Sequence, residues 1–254
     1  MRKLLYIPRA IFDILRIWFF DISLQEKSSF TYTLFLLKWN KWVKPQNIVI
    51  TVPFKKYRLK VYNSEITQFL FKEIFLHQVY RLPLISADKI LDAGANIGLA
   101  TIYFHKEKPQ AKIVAYEPAQ SAFDLLKVNV SFTNADIEIC NKAVSDFNGD
   151  VFEELVDKPA AVNQKFSLSG SGARIGCERL SEKLETGNYD VVKLDVEGAE
   201  ENILKDCFES NVIQKVNCWF IEFHNKSSVA YWIKMFEINK FHYRKKQNVY
   251  CFWK

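Results

Sequence analysis

The sequence predicts an α/β chain built on a doubly wound, mostly parallel sheet, and three observations carry that prediction. From Lys89 onward, short apolar runs of strand length alternate with helical stretches, the pattern of a parallel sheet covered on both faces. KILDAGANIGLA (89–100) sets two of only 8 glycines four residues apart, behind an apolar run ending in an acid. That is a strand-to-helix turn with bare backbone. With 49% hydrophobic and 25% charged residues, 254 residues supply a large buried core, as one domain or one domain with an addition.

The elements follow in order. MRKLLYIPRAIFDILRIWFFDISL opens like a signal peptide, but Arg9, Asp13 and Arg16 interrupt its apolar run and no small-residue cleavage site follows. The same charges disqualify it as a bilayer span. Leu4, Ile7, Ile11, Ile14, Leu15, Trp18 and Ile22 recur at helical spacing, with Arg9, Asp13 and Arg16 on another face, so an amphipathic helix is expected. Strand-like pieces follow near 47–52 and 57–62, then a helix over 64–79 capped by Asn63-Ser64. Residues 1–86 thus read as a basic, aromatic extension of helix and short strands, and 87–254 as the main domain.

In that domain KILDAGA is the first strand, and IGLATIYFHKEKP is its helix, stopped by Pro109. KIVAYEP is the second strand, SAFDLLKVNVSF a helix, and IEICNKAVSD the third strand. YDVVKLDVEGAE gives a fourth strand running into the helix ENILKDCF, and NCWFIEFHN a fifth, followed by the helix SSVAYWIKMFEINK. FHYRKK and NVYCFWK close the chain as a hairpin. Between the third and fourth strands, FSLSGSGARIG (166–176) is expected to be a loop bordering the acceptor cleft, with Ser169, Gly170, Ser171 and Gly172 either a mobile cover over it or a plain flexible surface loop.

Charge is unevenly spread. Residues 1–60 hold 12 Lys and Arg against 3 Asp and Glu, a balance of +9 in a chain of net +6. Aromatics from Tyr6 through Trp18, Trp39 and Trp42 to Tyr57 accompany them. Basic plus aromatic suits an anionic surface, either lipid headgroups or nucleic acid; the alternative is a solvated basic face over an aromatic core. The five cysteines are spread, odd in number and without a C-x-x-C pair. This argues against a metal cluster or disulfide framework and for reduced thiols in the cytoplasm.

In a doubly wound sheet, ligands sit beyond the carboxyl ends of the strands, where strand order reverses. DAGANIG occupies such an end: Gly94 permits the sharp turn and Gly98 close helix packing. Glu117, in AYEP, stands 25 residues after Asp92 at the next strand end, where an acid can hold two ribose hydroxyls. The turn is D-x-G-x-N-x-G rather than G-x-G-x-x-G, and its Asp92 repels a pyrophosphate but attracts an ammonium. S-adenosylmethionine, with an ammonium at one end and an adenosine ribose at the other, satisfies both acids.

ILDAGANIG, AYEP, NKAVSD, KLDVEGAE and IEFHN, in that order, resemble the FkbM-type branch of the class I methyltransferases. The resemblance covers about 57–225, with EIFLHQVYRLPL before the first strand and KLDVEGAE as its most specific block. It implies a Rossmann-like seven-stranded sheet with a reversed final strand. It also implies S-adenosylmethionine-dependent O-methylation of a sugar, glycan, lipid-linked saccharide or polyketide-type hydroxyl. The cofactor would lie against Asp92, Gly94, Ala95, Asn96 and Gly98, with Glu117 on the ribose and Pro118 beside it, and Ala143, Val144 and Ser145 at the adenine. Residues 1–50 and 155–176 have no counterpart in it.

A sugar hydroxyl needs a base to take its proton as the new bond forms. Lys193, Asp195 and Glu197 alternate with Val192, Leu194 and Val196, so the three charges are expected on one face of an extended segment; Glu222 and His224 share a face likewise. His224 is the first candidate base, by its strand-end position and ordinary imidazole pKa. Asp195 is the second, and Lys193 and Glu222 complete the catalytic set. The competing structural reading makes Lys193–Asp195 an ion pair, with Glu197 and Glu200 serving the next helix's N-terminus. Asp195, Glu222 and His224 lack diagnostic ligand spacing, so no metal is expected.

Two further functions compete. An RNA methyltransferase has only the basic segment in its favour and lacks an N/D-P-P-Y block; a non-catalytic scaffold would keep the cofactor site without turnover. The expected partners are a hydroxylated small-molecule or saccharide acceptor and, through residues 1–60, the inner face of the cytoplasmic membrane. Nucleic acid is not expected, and oligomeric state is left open.

Overall fold

A computed structural model of the chain describes residues 12, 14–20, 22–154, 166–170 and 172–254. Leu4, Ile7, Arg9, Ile11 and Asp13 of the expected first helix, the interval 155–165 and Ser171 lie outside those residues.

The strands are β1 (Val49–Phe54), β2 (Tyr57–Tyr62), β3 (Lys89–Ala93), β4 (Lys112–Tyr116), β5 (Ile137–Cys140), β6 (Ala143–Ser145) and β7 (Gly149–Glu153). They continue as β8 (Phe166–Ser167), β9 (Arg174–Arg179), β10 (Val191–Leu194), β11 (Cys218–Glu222), β12 (His242–Lys246) and β13 (Val249–Trp253). The α-helices are α1 (Leu24–Val43), α2 (Glu65–Phe71), α3 (Leu99–Glu107), α4 (Gln120–Ser131), α5 (Leu180–Gly187), α6 (Glu200–Glu209) and α7 (Val229–Ile238).

Seven strands make one sheet in the order β12-β13-β11-β10-β3-β4-β5. β11, β10, β3, β4 and β5 pair in parallel, and β13 enters antiparallel between β11 and β12. This is the doubly wound sheet with a reversed last strand. All four residues of β10 are buried, as an interior strand covered on both faces requires.

IEICNKAVSD is not the single strand expected. β5 stays in the large sheet, whereas β6 joins a second sheet in the order β6-β9-β7-β8. Asn141 lies between them, and its amide donates to the carbonyls of Glu117 and Pro118 at 2.9 and 3.0 Å. Those bonds tie the chain to the end of β4 where it leaves the large sheet. The two ends of the segment expected as a loop supply β8 and the start of β9, while Ser169, Gly170 and Gly172, expected as a cover, lie between those strands.

The extension packs into the main domain. Val52, Phe54, Leu59, Phe71 and Phe75 share a buried cluster with Ile90, Ile102, Phe104 and Phe220. Phe54 lies 5.0 and 4.5 Å, ring to ring, from Phe71 and Phe75; burying such side chains stabilises by about 1.5–3 kcal/mol each. Fully buried Asn129 on α4 acts as a strand partner for β2, accepting from Lys60 N at 2.7 Å and donating to Lys60 O at 2.9 Å. The Ser64 hydroxyl caps α2 by accepting from Thr67 N at 3.1 Å. Beyond Phe71 the helix widens into a π turn, Lys72–Leu76, and stops short of Val79, with Gln78 at φ 51°. Among the described residues no helix is long and apolar enough to cross a membrane.

Candidate active site

The chain lays β4 and β5 to one side of β3 before returning to β10 and β11 on the other, so strand order reverses between β3 and β10. A cavity of about 460 Å³ opens there, its lining including Gly94, Asn96, Glu117, Val144, Asp195 and Gly198. Such a crevice is where an open α/β sheet binds ligands.

Of the residues expected to hold a cofactor, Gly94, Asn96, Glu117, Pro118, Ala143 and Val144 line this cavity, as does Ser145. Glu117 is 6% exposed. Its Oε2 accepts from Asn96 N at 2.7 Å and its Oε1 from Ala119 N at 2.8 Å. Burial pushes the carboxyl up to about 7 against those two donors.

Asp92, Ala95 and Gly98 are not among the lining residues. Fully buried Asp92 accepts from the Thr101 hydroxyl at 2.7 Å and pairs with Lys193 Nζ at 3.1 Å. The acid expected to draw a ligand's ammonium is therefore already neutralised by the chain. The glycines also have internal reasons. At φ +78° a Cβ on Gly94 would stand 1.7 Å from the Asp195 carbonyl oxygen, and one on Gly98, at φ +89°, 2.8 Å from Leu126. Gly198 differs, since a Cβ there would meet nothing within 4 Å. It leaves an open cradle in the cavity wall, and its place in KLDVEGAE was the available signal.

Lys193 is 2% exposed and bridges Asp92 to Asp195, 3.4 Å away, while donating to Gly94 O at 2.8 Å. The competing ion-pair reading describes it. Burial opposes its charge, but the two aspartates overcome that and raise its pKa. Asp195 keeps about a quarter of its side chain exposed (24%) and lines the cavity. Burial raises its carboxyl, and Lys193 holds it back. Burial, with the Asp195 charge nearby, pushes Glu222 up to about 7.

Glu73, which sequence reasoning missed, joins this group. It sits on the π turn, 7% exposed, and burial with the Asp195 charge pushes it up to about 7. Tyr80 is buried with its ring 5.7 Å from Lys193 Nζ. Both lie in EIFLHQVYRLPL, where an acid directly before the apolar Ile74-Phe75-Leu76 was the signal. Clustered carboxyls with displaced pKa values mark functional sites more often than chance.

The expected extended face fails beyond Leu194, where β10 ends. Glu197 at φ 58° and Gly198 at φ 117° turn the chain, carrying Glu197 away from Lys193 and onto His224. His224 Nδ1 lies 2.9 Å from Glu200 Oε1, and Nε2 3.1 Å from Glu197 Oε2. These bonds push the imidazole up to about 11. At neutral pH it is a cation with both N–H groups donated, which leaves no lone pair for a substrate proton. Glu200 also accepts from Val196 N and Gly198 N, both at 3.1 Å, and so fixes the turn before α6. Donor atoms of Asp195, Glu197 and His224 lie within 4.8 Å of one another. A cation bound there would have to take Nε2 from Glu197 and release its proton.

Against known proteins, the chain matches the Methyltransferase FkbM domain over residues 92–248. It is 29% identical to methyltransferase sdnD of Sordaria araneosa, covering 57% of this chain and 70% of that one. It is 30% identical to hexuronic acid methyltransferase AglP of Haloferax volcanii, covering 54% of this chain and 56% of that one. With 31-O-demethyl-FK506 methyltransferase FkbM of Streptomyces tacrolimicus it shares 34% identity over 34% of this chain and 35% of the other. The last two matches span about half and a third of those relatives.

Proposed function

We propose that this chain, which belongs to the FkbM family of methyltransferases, moves a methyl group from S-adenosylmethionine to a hydroxyl of a saccharide or similar hydroxylated acceptor. The observation that carries the reading is Asp195, a partly open carboxylate standing where the switch-point cavity meets a buried group of acids. The names of two relatives support a sugar acceptor in one case and an oxygen acceptor in the other.

The cavity suits the donor. Glu117 has its oxygens held by backbone N–H groups and keeps further lone pairs for ribose hydroxyls. Ala143 and Val144 offer apolar wall for an adenine, and Gly198 leaves open backbone. S-adenosylmethionine, when bound, supplies a methyl group on a cationic sulfur that an oxygen can attack in line.

The remaining work falls to the chain. Asp195 is placed to accept the acceptor's hydroxyl proton, and Lys193 favours its charged form. Burial and the Asp195 charge push Glu73 and Glu222 up to about 7, so a proton gained or lost by one of the three is felt by the others. His224, held by Glu197 and Glu200, positions the turn that carries Asp195.

Calorimetric titration tests the donor site. S-adenosylmethionine and S-adenosylhomocysteine are expected to bind and NAD not, with Glu117→Ala weakening the adenosyl ligands about 10–100-fold. Hydroxyls donate to the charged carboxylate, so a proton on Glu117 competes with the ligand. Affinity is therefore full above pH 7 and falls below it by up to about tenfold per unit, a slope absent in the variant. A folded protein that binds neither adenosyl ligand sinks the reading.

A further inference from the structure

The solvent face of α1 is apolar where a surface helix should be polar. Ser28, Tyr32, Phe35, Trp39 and Trp42 recur at steps of four and three and are all exposed. The opposite face already buries Phe30, Leu34 and Leu37 in the core. A helix apolar on both faces belongs inside a protein or against another apolar phase. The aromatics form one surface: Phe35 and Trp39 stack with centroids 6.2 Å apart, and Trp39 meets Trp42 edge-on at 5.4 Å. A groove lined by Ile14, Trp18, Ser28, Thr31, Tyr32 and Phe35 extends it toward the N-terminus. Leu15 (55%), Phe19 (89%), Leu24 (71%) and Val43 (51%) are exposed in the same two segments.

The charge around this surface is chiefly basic. α1 with its cap residue Lys44 carries four lysines, of which Lys38 is buried and Lys41 pairs with Glu65, and one acid, Glu26, which is held by Lys55 at 2.7 Å and Lys106 at 3.6 Å. Exposed Arg16 adds to them, within the +9 of residues 1–60.

We propose that this face of α1, with the segment carrying Trp18 and Phe19, docks on an anionic lipid surface. Trp and Tyr suit the boundary between headgroup and acyl chain, with lysines reaching the lipid phosphates. Charge disfavours a second copy, because a two-fold contact would set basic segment against basic segment. The exposed leucines and Val43 have no use to a nucleic acid, which takes aromatic stacks and cations. The protein thereby works in the interface plane without spanning it. This rests on the surface alone and is independent of the acceptor.

Cosedimentation of the full chain with vesicles tests it. Binding is expected to phosphatidylcholine vesicles containing about one third phosphatidylglycerol, to weaken sharply in high salt, and to be much poorer on phosphatidylcholine alone. Trp39→Ser/Trp42→Ser should lower the partition coefficient about tenfold or more, with S-adenosylmethionine affinity and melting temperature unchanged. Equal partition of wild type and double variant, or no binding to the anionic vesicles, overturns the proposal. So does light scattering that shows a dimer of the wild type which the double variant abolishes, since the face then belongs to a second copy.

Discussion

Asp195→Asn is expected to lower methyl transfer about 10²–10⁴-fold, the usual contribution of a positioned general base. The substitution keeps shape, and the amide oxygen can still accept from Lys193, now 3.4 Å from Oδ2. What is lost is the ability to hold the acceptor's proton. The loss should appear in kcat, with S-adenosylmethionine affinity changing only about threefold or less, because Glu117 and not Asp195 is assigned to the ribose. Glu222→Gln is the companion variant. Pushed up to about 7 beside Asp195, Glu222 should shift the pH profile more than the maximal rate. Single-turnover transfer of labelled methyl to a saccharide acceptor, at several pH values, separates the two. If Asp195→Asn kept most of the rate while Glu222→Gln or Glu73→Gln abolished it, the base would be one of those glutamates.

The fold was largely legible, because interior parallel strands must be short apolar runs and each βα turn needs special backbone. KILDA, KIVAY and CWFIE became β3, β4 and β11 for that reason. The small second sheet was not legible. Apart from buried β6, its strands are only partly buried, so they lack the apolar run that identifies a strand, as in FS and RIGCER. Local sequence also locates the acids of the site but not their partners. Asp92 read as a free charge for a ligand, while the cation that neutralises it stands 101 residues later, two sheet positions set side by side by topology. His224 read as a base by its ordinary pKa. Two glutamates brought in by the turn at Glu197 and Gly198 reverse that role. Glu73 was hidden because a π turn has no hydrophobic period of its own.

Lys193→Met is expected to destabilise the protein by about 3–5 kcal/mol, the cost of leaving a buried charge without its partner. Lys193 and Asp92 are 2% and 0% exposed in side-chain terms. Methionine fills much the same volume but leaves Asp92 with only the Thr101 hydroxyl as a side-chain donor. The carbonyl of Gly94 also loses its 2.8 Å donor at the point where β3 meets β10. The same change frees Asp195 from its cation, so donor-site geometry should suffer and the Asp195 carboxyl, no longer held back by Lys193, should rise and be more often protonated, unable to take the acceptor's proton. If stability is lost chiefly through the uncompensated aspartate, Asp92→Asn/Lys193→Met should recover a large part of the melting temperature, because an apolar or neutral pair often replaces a buried ion pair at little cost. Methyl transfer should not recover with it, since Asp195 still lacks the ammonium. A double variant no more stable than Lys193→Met would place the ammonium's main role in its bonds to the Ala93 and Gly94 carbonyls. A double variant that regained both stability and turnover would mean that Asp195 does not depend on Lys193 for its charge.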